Sequence, residues 1–195
     1  MCSFVTLAAV TKNRTESIII FMKKNSTNHT YKWYAVYTDS RAEKKVLQEL
    51  IKKDIDCYLP LKIEKKQWSD RIKVVENPLI RGYIFVNVSN REYYDILITR
   101  GVRRYVCFEG NPTAIPENQI NDLKQFMQYL NTEVEVTSER ITKGSFVRIV
   151  SGPLCGLSGE VVNIRGKRSI VLRFNDLGFC VHADLGTNEV EFVNK

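Results

Sequence analysis

The chain has 195 residues, 44% of them hydrophobic, and a net charge of +7. This length is enough to bury a hydrophobic core without metal ions or disulfides. Its five cysteines are widely scattered and form no CxxC pair, which is typical of a reducing compartment and excludes a secreted disulfide scaffold. No apolar run approaches about 18 residues, so the sequence predicts no membrane-spanning segment and we expect a cytoplasmic protein.

The basic residues are unevenly distributed along the chain. Residues 31–130 hold 17 basic and 13 acidic residues, whereas residues 131–195 hold eight of each. A moderate positive excess in one region favours contact with nucleic acid or with an acidic surface. The alternative is that this charge only keeps the protein soluble.

The first 30 residues are rich in Ser, Thr and Asn and differ in composition from the rest. We expect residues 1–30 to be a disordered tail, or to precede a native start at Met22. A short structured extension is the alternative.

From Tyr31 to about Leu130 the hydrophobic pattern alternates between strands and helices. Strands are predicted at residues 33–37, 55–61, 82–88 and 102–108, and helices at residues 40–53, 91–100 and 116–130. Two polar arms, residues 62–68 and 71–76, predict a protruding hairpin. Ser40 and Glu43 fit a capping box at the start of the first helix. This order predicts an α+β protein with a split βαβ, ferredoxin-like sheet and one additional helix.

Residues 131–143 lack large aromatic side chains and are predicted to be a linker. Short strands separated by glycine-containing turns follow, at residues 145–150, 159–164, 169–174, 179–183 and 190–193. Five short strands in about 50 residues predict a small SH3-like β-barrel, because closure removes exposed strand edges. The glycines and β-branched residues of this segment favour strands over helices.

One face of the predicted sheet collects aromatic residues, because side chains alternate between the two faces of a strand. Trp33 and Tyr37 share one side of the first strand, and Tyr83 and Phe85 share one side of the third, with Ile80 nearby. The first two helices are expected to cover the other face. An exposed aromatic patch indicates a protein interface. The alternative is that the third helix or the hairpin covers it.

The first helix has a basic face made of Arg41, Lys44, Lys45 and Lys52. Such a face is a candidate for phosphate contacts, and the alternative is an ordinary solvated surface. The hairpin is a second candidate, because Trp68 is a ring able to stack on a base and basic residues surround it. These are Lys65, Lys66 and Arg71. The alternative for Trp68 is packing within the hairpin.

The sequence gives little support for catalysis. Cys180 and His182 are two potential metal ligands on one strand, but no further Cys or His lies nearby in the sequence to complete a set of four. No glycine-rich phosphate loop precedes a helix. We therefore expect a protein that is not an enzyme and that has no metal and no cofactor.

Two segments are distinctive in combination. The first joins the strand at residues 33–37, the helix after Ser40 and the run Asn-Pro-Leu-Ile-Arg-Gly-Tyr-Ile-Phe-Val at residues 77–86. The second is Gly-x-x-Val-Arg-Ile-x-x-Gly-Pro-Leu-x-Gly-x-x-Gly-x-Val at residues 144–161. Together they resemble the bacterial NusG family of transcription elongation factors. The resemblance implies a NusG-type N-terminal domain (residues 31–130), a linker (131–143) and a KOW domain (144–195).

Three further runs refine this resemblance. Trp-Ser-Asp-Arg at residues 68–71, Arg-Gly-Val at 100–102 and Glu-Gly-Asn-Pro at 109–112 are most similar to the UpxY-type antiterminators of capsular polysaccharide operons and to the related RfaH. The chain departs from the family pattern at two positions. Ile80-Arg81 stands where Phe-Pro is usual, and Leu154 stands where the KOW loop usually has an aromatic residue.

We expect a monomer, and the resemblance implies a partner for each of its surfaces. The aromatic face would receive the clamp helices of RNA polymerase; its residues are Trp33, Tyr37, Ile80, Tyr83 and Phe85. The basic helix face would approach the non-template DNA strand of the elongation complex. The KOW domain would bind a ribosomal protein or a termination factor through Leu154, Leu157 and Phe179.

The function implied is that of a transcription antitermination or elongation factor that increases polymerase processivity at specific operons. One alternative is a KOW-type RNA-binding or ribosome-associated module, which the balanced charge of residues 131–195 disfavours. A second alternative is an enzyme on the same scaffold, for which no catalytic constellation is evident. We also expect two independently folded domains, with the polymerase-binding face open in the free protein.

Overall fold

The computed structural model describes residues 30–68, 71–130, 134–137, 144–152, 154–164, 166–186 and 188–193. The described protein is a mixed α/β structure made mostly of strands. The expected tail, the hairpin turn at residues 69–70 and most of the expected linker lie outside the described residues. None of the helices in the described part of the chain is long and apolar enough to cross a lipid bilayer.

The predicted elements occur in the predicted order, and short strands that were not predicted lie between some of them. The helices are α1 (Glu43–Lys52), α2 (Tyr93–Leu97) and α3 (Glu117–Leu130), with a short 3-10 helix at Asn175–Leu177. The strands of the first half are β1 (Lys32–Thr38), β2 (Asp56–Tyr58), β3 (Leu61–Gln67), β4 (Ile72–Pro78), β5 (Tyr83–Val88), β6 (Val102–Tyr105), β7 (Cys107–Phe108), β8 (Asn111–Pro112) and β9 (Ala114–Ile115). The strands of the second half are β10 (Glu135–Thr137), β11 (Ser145–Ile149), β12 (Ser158–Ile164), β13 (Lys167–Phe174), β14 (Phe179–Asp184) and β15 (Val190–Phe192).

The N-terminal sheet has the strand order β2-β5-β1-β6, and β9 pairs with β1 beside β6. Strand β5 therefore lies between β1 and β2, and it is antiparallel to both. The register places Ala35 opposite Phe85 and Tyr37 opposite Tyr83. Directly opposite residues point to the same side of a sheet, so these side chains share a face.

The two sides of the N-terminal sheet pack in different hydrophobic clusters. Val36, Ile84 and Val86 belong to a cluster with residues of α1 and α2, namely Val46, Leu50 and Ile96. Trp33, Ala35 and Phe85 belong to a second cluster with residues of α3, namely Ile120, Leu123, Phe126 and Met127. The predicted alternation of strand side chains is thus confirmed at these positions.

The first helix begins differently from the capping-box prediction, which is wrong. Its N-cap is Ala42, without a side-chain capping bond, and Arg41 adopts a left-handed φ of 59°. The Glu43 carboxylate is instead buried and accepts a hydrogen bond of 2.7 Å from the backbone N–H of Gly82. A tertiary partner therefore replaces the local one, because the turn before β5 brings an amide next to α1.

The second half of the chain forms a C-terminal sheet with the order β10-β14-β13-β12-β11-β15, in which all neighbours are antiparallel. Its first strand corrects the linker prediction, because residues 135–137 pair with β14 and place Val136 opposite Val181. Val134, just before it, is completely buried. The alternation of polar and β-branched residues suits a strand, and β14 offers a free edge for it.

Two further predictions needed adjustment. The helix expected at residues 91–100 is only the five-residue α2, and the strand expected at 102–108 is interrupted at Val106, whose N–H donates to the Ala35 carbonyl at 2.9 Å. Gly101 follows α2 with a φ of 90°, in the left-handed region where glycine is favoured. A Cβ at Gly101 would lie 3.0 Å from Val46 of α1, so this turn is also closely packed.

The buried Glu43 predicts a clear difference between two substitutions. Glu43→Ala should lower the free energy of unfolding by about 1–3 kcal/mol, because it leaves the Gly82 N–H without its acceptor. Ser40→Ala should change it by less than about 0.5 kcal/mol, since Ser40 caps nothing. Urea denaturation measures both. A loss of about 1 kcal/mol in Ser40→Ala would restore the capping-box interpretation.

Candidate protein-interaction face

The structure brings together all five residues predicted for the aromatic face. They belong to or pack against one hydrophobic cluster, and they are Trp33, Tyr37, Ile80, Tyr83 and Phe85. Phe85 is fully buried and Trp33 and Ile80 are nearly so, at 5% and 4% exposure. Tyr37 and Tyr83 are partly buried and form the edge of the face.

At this edge the two tyrosines form a hydrogen-bonded pair. The Tyr83 hydroxyl donates to the Tyr37 hydroxyl at 2.7 Å, and the ring centroids are 4.5 Å apart. The Arg104 guanidinium lies over the Tyr37 ring at 5.0 Å, within cation–π range. Burial and the neighbouring Tyr37 raise the pKa of Tyr83 well above its usual value. Both rings are thus held in fixed positions.

Helix α3 covers one part of the face. The Lys124 ammonium of α3 lies 4.8 Å from the ring centroid of Trp33 and 5.5 Å from that of Tyr58. Burial lowers the pKa of Lys124, while the nearby carboxylates of Asp56 and Glu117 oppose that shift. The aliphatic stem and charged head of this lysine therefore close the Trp33 end of the face.

The C-terminal sheet covers the rest. The Phe179 ring of β14 meets Tyr83 edge-on at 5.8 Å, and the Phe174 ring of β13 lies 6.1 Å from Phe85. The side-chain amide of Gln125 in α3 donates to the Cys155 carbonyl at 3.0 Å. A single hydrophobic cluster therefore runs from the N-terminal sheet through α3 into the C-terminal sheet.

This packing corrects the expectation of two separate domains with an open aromatic face. It also buries the residues predicted to bind a second partner. Leu154 and Leu157 are fully buried in the same cluster, and Phe179 is 7% exposed. The physical reason is that each sheet presents an apolar surface without cover of its own. Burying the two surfaces against each other removes both from water.

The residues that sequence reasoning missed are those that join the two halves, Phe174, Gln125 and the Cys155 carbonyl. A signal for Phe174 was present, since it ends a predicted strand and precedes the turn to Phe179. No local pattern signals the Gln125 contact, because its partner is a backbone carbonyl 30 residues away.

The predicted basic face of α1 is exposed on the side of the N-terminal sheet away from the aromatic face. Arg41, Lys44, Lys45 and Lys52 are all exposed. Lys44 lies 3.7 Å from Glu76 of the hairpin, and Lys52 lies 2.6 Å from Glu49. The hydrogen bond and charge of Lys52 lower the pKa of Glu49.

The Cys180–His182 strand contains no metal cluster. His182 Nε2 lies 3.9 Å from a Glu135 carboxylate oxygen, and the Cys180 sulfur accepts a hydrogen bond from Arg173 at 3.8 Å. Among the residues that the structure describes, no group of three or more His, Cys, Asp or Glu is arranged to hold a metal ion.

Residues 31–124 match the family model described as "Transcription termination factor nusG". This segment is therefore similar to the NusG family. The positions predicted on the aromatic face and on the basic helix all lie within the matched segment, whereas Leu154, Leu157 and Phe179 lie beyond it.

Two proteins that are similar to larger parts of the chain carry related names. The "Transcription termination/antitermination protein NusG" of Rickettsia typhi is 23% identical over 190 residues, covering 91% of this chain and 98% of the relative. The "Transcription elongation factor Spt5" of Acidianus ambivalens is 25% identical over 123 residues, covering 63% of this chain and 74% of the relative. The chain is thus similar to proteins named as NusG and Spt5 transcription termination, antitermination and elongation factors.

A solved structure is also similar to this chain. It is described as "Domain interaction in Thermotoga maritima NusG", and it has a TM-score of 0.45 and 20% sequence identity over 85% of this chain and 98% of that chain.

Tyr58 lies beneath the aromatic face, and its hydroxyl group has an unusual environment. Its ring stacks on Phe85 at 6.4 Å, but its buried hydroxyl finds no hydrogen-bond partner among the described residues. Burial raises the pKa of Tyr58 far above its usual value. A buried hydroxyl without a partner carries a desolvation cost, so this position is a source of instability within the cluster.

We expect Tyr58→Phe to stabilise the protein by about 1 kcal/mol, measured by urea denaturation at neutral pH, because it removes the desolvation cost of the hydroxyl. The pH dependence provides a second readout. A raised pKa in the folded state means that the contribution of the protonated hydroxyl is intact below about pH 10 and is lost at higher pH. The stability of Tyr58→Phe should therefore fall less steeply above about pH 10 than that of the parent protein. A loss of stability at neutral pH would show that the hydroxyl has a partner, and equal alkaline slopes would show that its pKa is not raised in the folded state.

Proposed function

We propose that this protein is a non-enzymatic transcription antitermination or elongation factor that binds RNA polymerase through the aromatic face of its N-terminal sheet. The face consists of Trp33, Tyr37, Ile80, Tyr83 and Phe85. The observation that carries the proposal is the continuity of this face within a segment that matches the NusG family. Clustered aromatic side chains are typical anchors of protein interfaces.

The proposal includes a division of the chain into functional units. Residues 31–130 would be a split βαβ domain of NusG type and residues 144–195 a KOW barrel, joined by a segment within residues 131–143. The strand order of the N-terminal sheet, with β5 inserted between β1 and β2, supports the first unit. The six antiparallel strands of the C-terminal sheet support the second.

Polymerase binding through this face requires the C-terminal sheet to move away, because Phe174 and Phe179 occupy the surface that a partner would contact. The free protein would then bind polymerase with an affinity reduced by the fraction of molecules that are open. The same movement would expose Leu154, Leu157 and Phe179. We propose these residues as the site for a second partner, a ribosomal protein or a termination factor.

The exposed basic face of α1 is proposed to contact the non-template DNA strand. Arg41, Lys44, Lys45 and Lys52 project on the opposite side of the sheet from the aromatic face, so a protein held on polymerase by one face would present the other outward. Contacts of this kind act on phosphates and carry no sequence information by themselves.

We further propose that the protein belongs to the specialised UpxY-type or RfaH-like branch and acts at polysaccharide-type operons. Support comes from the three sequence runs at residues 68–71, 100–102 and 109–112. Two of them form defined turns, since Gly101, Glu109 and Gly110 all have left-handed φ angles.

A cross-link between the two halves tests the proposed polymerase site. The variant is the full chain with Gln125→Cys, which places a thiol near native Cys155, and with Cys2 and Cys107 changed to Ser. Cys57 should stay unreactive, since burial raises its pKa to about 12. Closing the link with a short, reducible thiol cross-linker should reduce retention on immobilised RNA polymerase by about tenfold or more, because it removes the open state. Reduction should restore retention.

The matched control is Gln125→Ser in the same background, in which Cys155 is the remaining exposed thiol among the described residues. Its retention should not change on treatment. If the cross-linked protein binds polymerase as well as the reduced protein, the aromatic face is not the binding site.

The DNA proposal is tested with the triple variant Arg41→Ala/Lys44→Ala/Lys45→Ala. Stability should change by less than about 0.5 kcal/mol, because all three side chains are exposed. Suppression of transcriptional pausing should weaken, with a difference from the parent that shrinks as the salt concentration rises. Normal pause suppression at every salt concentration would show that this face is an ordinary solvated surface and does not contact DNA.

A further inference from the structure

The outer half of the β3–β4 hairpin places one aromatic ring among cations on a single face. The register pairs Lys66 with Lys73 and Gln67 with Ile72. The next pair outward is Trp68 and Arg71, where the backbone N–H of Trp68 donates to the backbone carbonyl of Arg71 at 2.8 Å. Alternate pairs share a face of a two-stranded ribbon, so these four side chains, Lys66, Trp68, Arg71 and Lys73, project to the same side.

This face is exposed to solvent, and the like charges on it lower the stability of the hairpin. Trp68 is 56% exposed, and the Lys73 ammonium lies 6.0 Å from its ring centroid. Lys66 and Lys73 are directly opposite each other, and like charges in that relation destabilise a strand pair. Folding therefore gains little from this arrangement, whereas an anion between the two ammonium groups would relieve their repulsion.

The chemistry of the face defines its occupant. The cations match a chain of phosphates, and the exposed indole matches the flat face of an unpaired base. In a duplex the bases are already stacked on one another, so the ring would have nothing to contact. An acidic protein would satisfy the charges, but single-stranded nucleic acid repeats a phosphate and a flat base at every nucleotide, which matches an exposed indole flanked by cations.

We infer that the Lys66–Trp68–Arg71–Lys73 face of the hairpin binds single-stranded DNA, with Trp68 stacked on a base and the flanking cations on phosphates. The choice of DNA rests on the proposed function, because transcription separates a DNA strand from its complement. The hairpin lies apart from the aromatic face, so its binding does not depend on separation of the two sheets.

The test measures binding of a fluorescein-labelled oligo(dT) 15-mer to the full chain by fluorescence anisotropy at low salt. Trp68→Ala should weaken binding by about tenfold, and Trp68→Phe should recover part of the loss, because stacking needs a ring. Lys66→Gln/Lys73→Gln should weaken binding and reduce its salt dependence. The parent protein should also show quenching of tryptophan emission by unlabelled oligo(dT), which Trp68→Phe should abolish, since Trp33 is buried.

Matched controls come from exposed residues elsewhere. Tyr94→Ala removes an aromatic ring that is 72% exposed on α2, and Arg148→Gln/Arg168→Gln removes two exposed cations from the C-terminal sheet. Both should bind oligo(dT) like the parent. None of the variants should have a lower unfolding temperature than the parent, because the changed side chains are exposed.

Three results would overturn the inference. They are unchanged binding by Trp68→Ala, equal or tighter binding of a 15-base-pair duplex, and displacement of oligo(dT) by poly-glutamate at equal charge concentration. Markedly tighter binding of oligo(U) than of oligo(dT) would overturn the assignment to DNA. Retention on immobilised polymerase is measured in parallel. Failure of the DNA-binding inference for the hairpin is thereby distinguished from failure of the proposed polymerase-binding site.

Discussion

Burial of the aromatic face of the N-terminal sheet is the constraint on which the rest of the structure depends. Phe85 lies at its centre, fully buried, with Tyr58 stacked at 6.4 Å on one side and Phe174 at 6.1 Å on another. Helix α3 and the C-terminal sheet both pack here. The positions of these two elements therefore follow from one requirement, which is that a large apolar surface be removed from water.

The same requirement limits how strong the contacts between the two halves of the chain can be. A surface proposed to bind a partner must be released, so the contacts within the chain must be weaker than the contacts with that partner. The described junction fits such a role. Direct ring contacts join Tyr83 to Phe179 and Phe85 to Phe174, whereas the polar link is a single exposed hydrogen bond from Gln125.

The N-terminal sheet also separates two kinds of chemistry. Its one side carries aromatic residues, with the Tyr37–Tyr83 pair at the edge, and its other side carries α1 with an exposed basic face. The Glu43–Gly82 hydrogen bond connects the sides, because it fixes α1 to the turn that precedes Tyr83. The hairpin adds a third surface that shares little packing with either side, since most of its outer half is exposed.

Sequence by itself determined the elements whose signal is local. The alternation of residues 33–37 and 82–88 placed Trp33, Tyr37 and Phe85 on one face, and the structure agrees, because strand geometry allows a side chain only two directions. The left-handed turn at Gly101 and the hairpin arms follow from equally local chemistry. For the same reason the resemblance to NusG was visible in short runs of residues.

Tertiary structure decided every feature whose partner is distant in the chain. Glu43 fits a capping box as well as it fits a buried acceptor, and only the approach of Gly82 selects the second. Residues 135–137 have the composition of a linker until the edge of β14 is available to pair with them. The aromatic face is open or closed according to whether another apolar surface lies within reach. Periodicity identifies which side of an element is apolar, but it holds no information about which distant surface will cover that side.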